Sequence, residues 1–183
     1  PDGSVWFSDP ATTSVGRLEP SGAVTRYRFP EGRTPGSLVV DRDGSVWVTT
    51  VGPAIAHLTR DGHLVGYAIP QFEPHRIGGT GNASPAALTI GPDGAIWFLE
   101  MDADVVGRIT RDGRITQYPL PDRERMHINP EDMAVGSDGA IWFSETLKTG
   151  ICRINPKTFA ITEFPIPESP NGIGAASLTA GPD

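Results

Sequence analysis

The chain has 183 residues, 22 of them Gly and 18 Pro, a share that excludes a helical bundle because both residues disfavour helix interiors. The Gly has no three-residue period, which excludes collagen, and 4 Trp, 7 Phe and 3 Tyr argue against wholesale disorder. Fifteen Lys and Arg against 22 Asp and Glu leave a net charge of −7 with no basic run, so neither nucleic acid nor a membrane surface is an expected partner, and no stretch approaches the ~18 apolar residues of a membrane span.

Asp-Gly-x-x-Trp opens the chain at Asp2 to Trp6 and returns at Asp43 to Trp47, Asp93 to Trp97 and Asp138 to Trp142. The Trp spacings are 41, 50 and 45 residues, and Gly181-Pro182-Asp183 begins a further copy. After each Trp comes a small residue followed by a basic one: Gly16-Arg17, Ala56-His57, Gly107-Arg108 and Cys152-Arg153. A strand ending in proline follows, at Pro30, Pro70, Pro121 and Pro167.

Each copy reads as four short strands, in the third at Ala87–Ile90, Ala95–Glu100, Val105–Thr110 and Ile115–Leu120. Asp93-Gly94 and Asp112-Gly113 are tight-turn dipeptides between them. Four antiparallel strands per repeat of about 45 residues predict an all-β fold, a β-propeller of four-stranded blades forming one domain over 1–183. A stacked β-solenoid is the alternative. The Trp is expected to pack blade against blade, facing the small residue of the third strand. Cys152 occupies that small slot and reads as a buried structural thiol. A single cysteine cannot form an internal disulfide, so the compartment stays open.

The repeat length gives about four blades. The first residue is Pro1 inside a hairpin turn, so the chain reads as a fragment of a six- or seven-bladed ring. The alternative is a closed four-blade ring in which Leu178 and its neighbours complete the first blade. Length varies mainly in the links between blades. Pro30 to Pro35 is 5 residues, Pro70 to Pro85 is 15, and Pro121 to Pro130 is 9. The loops Gln71–Ser84 and Asp122–Asn129 are therefore expected side by side on one face, the binding face.

The run GPDGAIWFLE (91–100), followed by VVGRITRDGRITQYPLP (105–121), resembles the streptogramin lyase family, also called virginiamycin B lyases. The copies at 2–30 and 138–167 carry the same pattern. The resemblance implies a seven-bladed propeller and a Mg²⁺-assisted elimination that opens a cyclic depsipeptide at its ester bond. A histidine base would take a proton α to the carbonyl. The partner implied is a small-molecule or cyclic-peptide substrate, and the full-length protein is expected as a monomer. The family's histidine follows a proline at the start of a blade's first strand, and the next blade brings Glu-x-His. Counting 11 residues back from each Trp, that slot holds Gly36, Ala86 and Glu131. Glu73-Pro74-His75 matches Glu-x-His in type but stands 22 residues before Trp97, and His127 stands 15 before Trp142.

The candidate catalytic residues are therefore His75, His127, Glu73 and Glu131: a base, an orienting carboxylate and possible metal ligands. Asp9, Glu100 and Glu145 each stand three residues after a Trp, and the second copy has Thr50 there and His57 for Arg. The carboxylate and the Arg thus come and go together. They read as a structural ion pair or hydrogen-bonded link within or between blades, with a cation-binding carboxylate ring as the alternative. His57 reads as structural and His63 as solvated. No Gly-x-Ser-x-Gly elbow supports serine catalysis. Two other functions are open on the same architecture: a lactone hydrolase, and a non-catalytic propeller binding a carbohydrate, peptide or protein.

Overall fold

Runs of Val, Ile, Trp and Phe between Asp-Gly turns become strands of five or six residues in the computed structural model. It describes residues 2–72, 85–100, 103, 105–120, 130–145, 150–166 and 177–181, apart from the side chains of Glu31, Pro130, Glu131 and Glu145. The first blade has β1 (Val5–Asp9), β2 (Ser14–Leu18) and β3 (Val24–Arg28). The second has β4 (Pro35–Val40), β5 (Val46–Thr50), β6 (Ala54–Leu58) and β7 (Leu64–Ala68). The third has β8 (Pro85–Ile90), β9 (Ile96–Glu100), β10 (Val105–Ile109) and β11 (Ile115–Pro119). The fourth has β12 (Pro130–Val135), β13 (Ile141–Glu145), β14 (Gly150–Ile154) and β15 (Ile161–Pro165). Every pairing is antiparallel between chain neighbours, giving one three-stranded and three four-stranded sheets among the described residues. In the third copy the strand boundaries lie within two residues of those read from sequence.

The Asp-Gly turns work through both residues. Gly94 takes φ +74, a left-handed conformation that costs glycine little. Asp93 Oδ1 accepts from the Ala95 amide at 3.2 Å, and Asp138 Oδ1 from the Ala140 amide at 2.9 Å, which holds each turn closed.

The sheets stack in chain order, β1 against β4, β4 against β8 and β8 against β12, so the first strands converge on the inner side of the arc. Successive residues of a strand point to opposite faces. Trp47 and Ile55 of the second blade therefore meet Leu88, Ile96 and Phe98 of the third. Trp97 and Leu99 of the third meet Ile141, Phe143 and Cys152 of the fourth. Trp6, Trp47 and Trp97 pack blade against blade as expected, Trp142 lies against Phe164 of its own blade, and Cys152 is a buried core residue.

The small residue has a different partner from the one expected. The register sets Trp6, Trp47, Trp97 and Trp142 opposite Arg17, His57, Arg108 and Arg153. The small residue instead faces the position after the Trp: Phe7 opposite Gly16, Val48 opposite Ala56, Phe98 opposite Gly107, Phe143 opposite Cys152. A Cβ on Gly107 would stand 2.0 Å from the Phe98 ring, so the ring lies directly on the third strand.

The four-blade closure does not occur. Leu178 does not join β1; its amide donates to Asp132 Oδ2 at 2.9 Å, beside β12, and the described blades form an open arc.

Gly107→Ala should cost about 1–3 kcal/mol, because the Phe98 ring has to move. Gly66→Ala, where an added Cβ meets nothing within 4 Å, should change stability by less than about 0.5 kcal/mol. Urea denaturation of the two variants checks this contrast; equal losses would show that the ring contact is not what requires glycine.

Candidate functional site at the strand-end rim

Each inner strand begins at a proline, because an edge position can lack an amide donor. Pro35, Pro85 and Pro130 sit opposite Thr50, Glu100 and Glu145, the last residues of the second strands. The register then shifts, and pairing resumes at Leu38, Leu88 and Met133. Gly36-Ser37, Ala86-Ala87 and Glu131-Asp132 are thus three equivalent bulges at one rim. Bulges re-aim side chains and often flank functional sites. The slot that the family resemblance assigns to histidine falls in this bulge in every described inner strand. Glu131 is the one ionisable residue in it. Its neighbour Asp132 accepts from the Met133 amide at 2.8 Å and from the Ser177 hydroxyl at 2.9 Å, which is structural work.

Glu73, His75 and His127 lie outside the described residues, as does the Glu131 side chain, so of this candidate cluster the structure places only the Glu131 backbone, in β12. The loops Gln71–Ser84 and Asp122–Asn129 lie there too, apart from 71 and 72. Among the described residues no three His, Cys, Asp or Glu side chains come together to hold a metal ion. His63 is exposed at a turn, with 80% of its side chain accessible. His57 stacks on Trp47, ring centroids 4.0 Å apart and 8° from parallel, and burial holds its imidazole below the ordinary value. A neutral ring there is a packing group.

The expected pairing between the third-strand Arg and the carboxylate after the Trp is corrected by the register. Those residues stand at opposite ends of their strands. Arg17, Arg108 and Arg153 instead pair with the turn aspartates Asp2, Asp93 and Asp138, at 2.8, 2.7 and 2.7 Å. Each guanidinium also lies over the blade's Trp, at 6.0, 5.9 and 5.8 Å from the ring centroid.

The rim carboxylates have partners on the fourth strand. Arg26 of β3 pairs with Asp9. Gln117 Nε2 of β11 donates to Glu100 Oε1 at 2.8 Å and to the Pro70 carbonyl of the preceding blade at 3.0 Å. Glu100 is only 2% exposed, and its Oε2 has no hydrogen-bond partner among the described residues. Burial, opposed by the Gln117 bond, pushes its carboxyl up from 4.5 to about 7. A group that titrates near neutrality can hold or release a proton at the rim, yet its burial makes it a poor cation ligand. Sequence reasoning had Glu100 with the wrong partner. The signal for the right one was Gln117, which pairs across from Gly107.

Four-stranded antiparallel blades stacked in an arc, with bulged inner strands, define a β-propeller. The chain belongs to the virginiamycin B lyase family, which it matches over residues 1–183. It is 36% identical to the virginiamycin B lyase of Nocardia farcinica over 124 residues, 67% of this chain and 40% of that protein. It superimposes on a streptogramin B lyase structure with a TM-score of 0.84 at 31% identity, covering 100% of this chain and 57% of that one. A catalytically inactive variant of the Staphylococcus aureus virginiamycin B lyase with quinupristin gives a TM-score of 0.81 at 34% identity, over 93% and 54%. The chain thus spans about half the length of these relatives. A structure described as a putative gluconolactonase shares the fold alone, with a TM-score of 0.68 at 15% identity.

A raised carboxyl pKa means that the folded state holds a proton the unfolded chain has released. Its stabilising effect is complete below about 4.5 and fades as pH rises through about 7. Relative to Glu100→Gln, the wild-type protein should lose about 1–3 kcal/mol between pH 5 and pH 8. Urea midpoints of both proteins at the two pH values measure it. A constant difference between them would show that Glu100 does not titrate in this window.

Proposed function

We propose that this chain carries lyase blades of a virginiamycin B lyase-type enzyme, which opens a cyclic ester or depsipeptide by elimination. The observation that carries the reading is the superposition of the whole chain on the streptogramin B lyase structure. The repeated bulge at the rim supports it, since it puts the family's histidine slot at a site-forming position.

The chemistry asks for a base near neutrality. It removes the proton α to a carbonyl, the C–O bond at the β-carbon breaks, and the ester oxygen leaves as part of a carboxylate. A double bond forms between the α- and β-carbons, so one residue of the product is newly unsaturated and the product gains no atoms. We assign the base to His75 or His127, with Glu73 and Glu131 as orienting carboxylates. The described rim offers no set of donors for the Mg²⁺ that the resemblance implies, so that ion would draw its ligands from other residues. Such an enzyme would inactivate a streptogramin-type antibiotic and so support resistance to it. No observation favours the lactone hydrolase or the non-catalytic propeller over this reading.

Incubation with quinupristin, followed by mass spectrometry, tests it. Elimination yields a linear product of unchanged mass that absorbs as an unsaturated residue, whereas hydrolysis adds one water. The double variant His75→Ala with His127→Ala should lose about 10²–10⁴-fold in rate while retaining its fold. Full activity in that variant would move the base to another residue.

A further inference from the structure

The rim position that holds Glu100 in the third blade is rebuilt differently in each blade. In the register, the fourth-strand residue opposite the small slot is Arg26, Gly66, Gln117 and Glu163 in blades one to four. Blade one joins Arg26 to Asp9 and blade three joins Gln117 to Glu100, so both fill the space at this strand end with a hydrogen-bonded carboxylate. Blade two has Thr50 and Gly66. Thr50 turns its hydroxyl back to the Ala54 carbonyl at 2.9 Å, and Gly66 has no side chain to send. A cavity of about 240 Å³ remains between blades one and two, lined by Phe29, Arg33, Thr50, Ala56, Leu64 and Gly66.

Its walls are apolar on the Phe29, Ala56 and Leu64 side, and two of these are core residues, Phe29 and Ala56, at 5% and 4% exposure. Arg33, in the link between the two blades, supplies positive charge in a chain of net charge −7. A guanidinium has five N–H donors and can serve a carboxylate beside any other contact it makes. At about 30 Å³ per non-hydrogen atom, the cavity accommodates about eight such atoms.

We propose that this cavity is a binding pocket for a small monocarboxylate with a short apolar body. The ligand's carboxylate takes the rim place that Glu100 fills in blade three and meets Arg33, and its apolar body lies between Phe29 and Leu64. The lining includes none of the lyase candidates His75, His127, Glu73 and Glu131, and the pocket's occupancy does not depend on the lyase reading.

The probe is hexanoate, which has eight non-hydrogen atoms, with hexylammonium as a control of similar length and opposite charge. Titration of the whole protein, followed by NMR of the Ala, Leu and Phe signals, should show saturable shifts confined to Phe29, Ala56 and Leu64 for hexanoate and none for hexylammonium. Arg33→Ala should weaken binding at least tenfold. Thr50→Glu with Gly66→Gln transplants the blade-three pair and should abolish binding. Gly66→Leu, which plugs the cavity with an apolar side chain and introduces no buried charge, should abolish it equally and serves if the double variant does not fold. The proposal is overturned if hexanoate causes no saturable shift, if hexylammonium binds as well as hexanoate, or if binding survives a folded plugging variant.

Discussion

The contact on which everything else depends is the meeting of one blade's Trp face with the next blade's Phe face. A four-stranded sheet has two faces and cannot bury either alone. In blade three, Trp97 points one way and Phe98 the other, and both are fully buried. One dipeptide on β9 therefore feeds two interfaces, and each ring contributes roughly 1.5–3 kcal/mol by leaving water. For Phe98 to lie close, the third strand must have no side chain beneath it, which is why Gly107 stands there. Blade two sets the smaller Val48 opposite Ala56, and blade four seats Phe143 opposite Cys152. Each blade returns its own Trp to this contact although the Trp spacing runs from 41 to 50 residues, because the links between blades absorb the difference.

A second element recurs at the far end of the same strands. The turn Asp, the third-strand Arg and the Trp form a stack in blades one, three and four. These pairs are partly exposed, so they orient the turn more than they stabilise it. Blade two shows what the arrangement requires. His57 keeps the stack on Trp47 but brings no permanent charge. The cation comes instead from the next blade, as Arg111 Nη2 reaches Asp41 at 2.6 Å, with Arg111 Nη1 3.6 Å from Asp43. Asp41 is nearly fully buried, so this pair exists where an isolated carboxylate would be costly. An intra-blade link has become an inter-blade one.

The propeller was legible in the sequence because its determinants are local and repeated. Asp-Gly turns, alternating apolar residues and the Trp spacing all act within one blade. Partner choices across strands were less legible. The small residue was matched to the Trp instead of the Phe, and the rim carboxylate to Arg108 instead of Gln117. Both errors are register errors of one or a few residues, and side-chain identity alone does not set register. The Asp93-Gly94 turn fixes only the β8–β9 pairing, with Thr89 opposite Trp97; the β9–β10 register that sets Trp97 opposite Arg108 and leaves Glu100 at the other end carries no such turn signal. The bulge was not readable from composition. Gly36-Ser37, Ala86-Ala87 and Glu131-Asp132 share no residue type, and it is the proline before them, opposite the last residue of the second strand, that marks the place.

The rim is also where the repeats stop agreeing. Core positions recur because each must fit the next blade: a Trp in every copy, and a small residue opposite Phe or Val. The last residue of the second strand is Asp9, Thr50, Glu100 or Glu145, and its fourth-strand neighbour is Arg26, Gly66, Gln117 or Glu163. These pairs lie beyond the stacked rings, so a change there leaves the Trp–Phe contact intact. Thr50 and Gly66 show this directly: blade two has lost the polar pair, yet Trp47, Val46 and Val48 remain fully buried. A scaffold set by aromatic stacking can therefore vary its strand ends one blade at a time. The blade-to-blade differences of the described rim, the buried acid Glu100 and the Thr50–Gly66 pair, fall outside the ring contact, where Gln117 reaches the preceding blade through the Pro70 carbonyl.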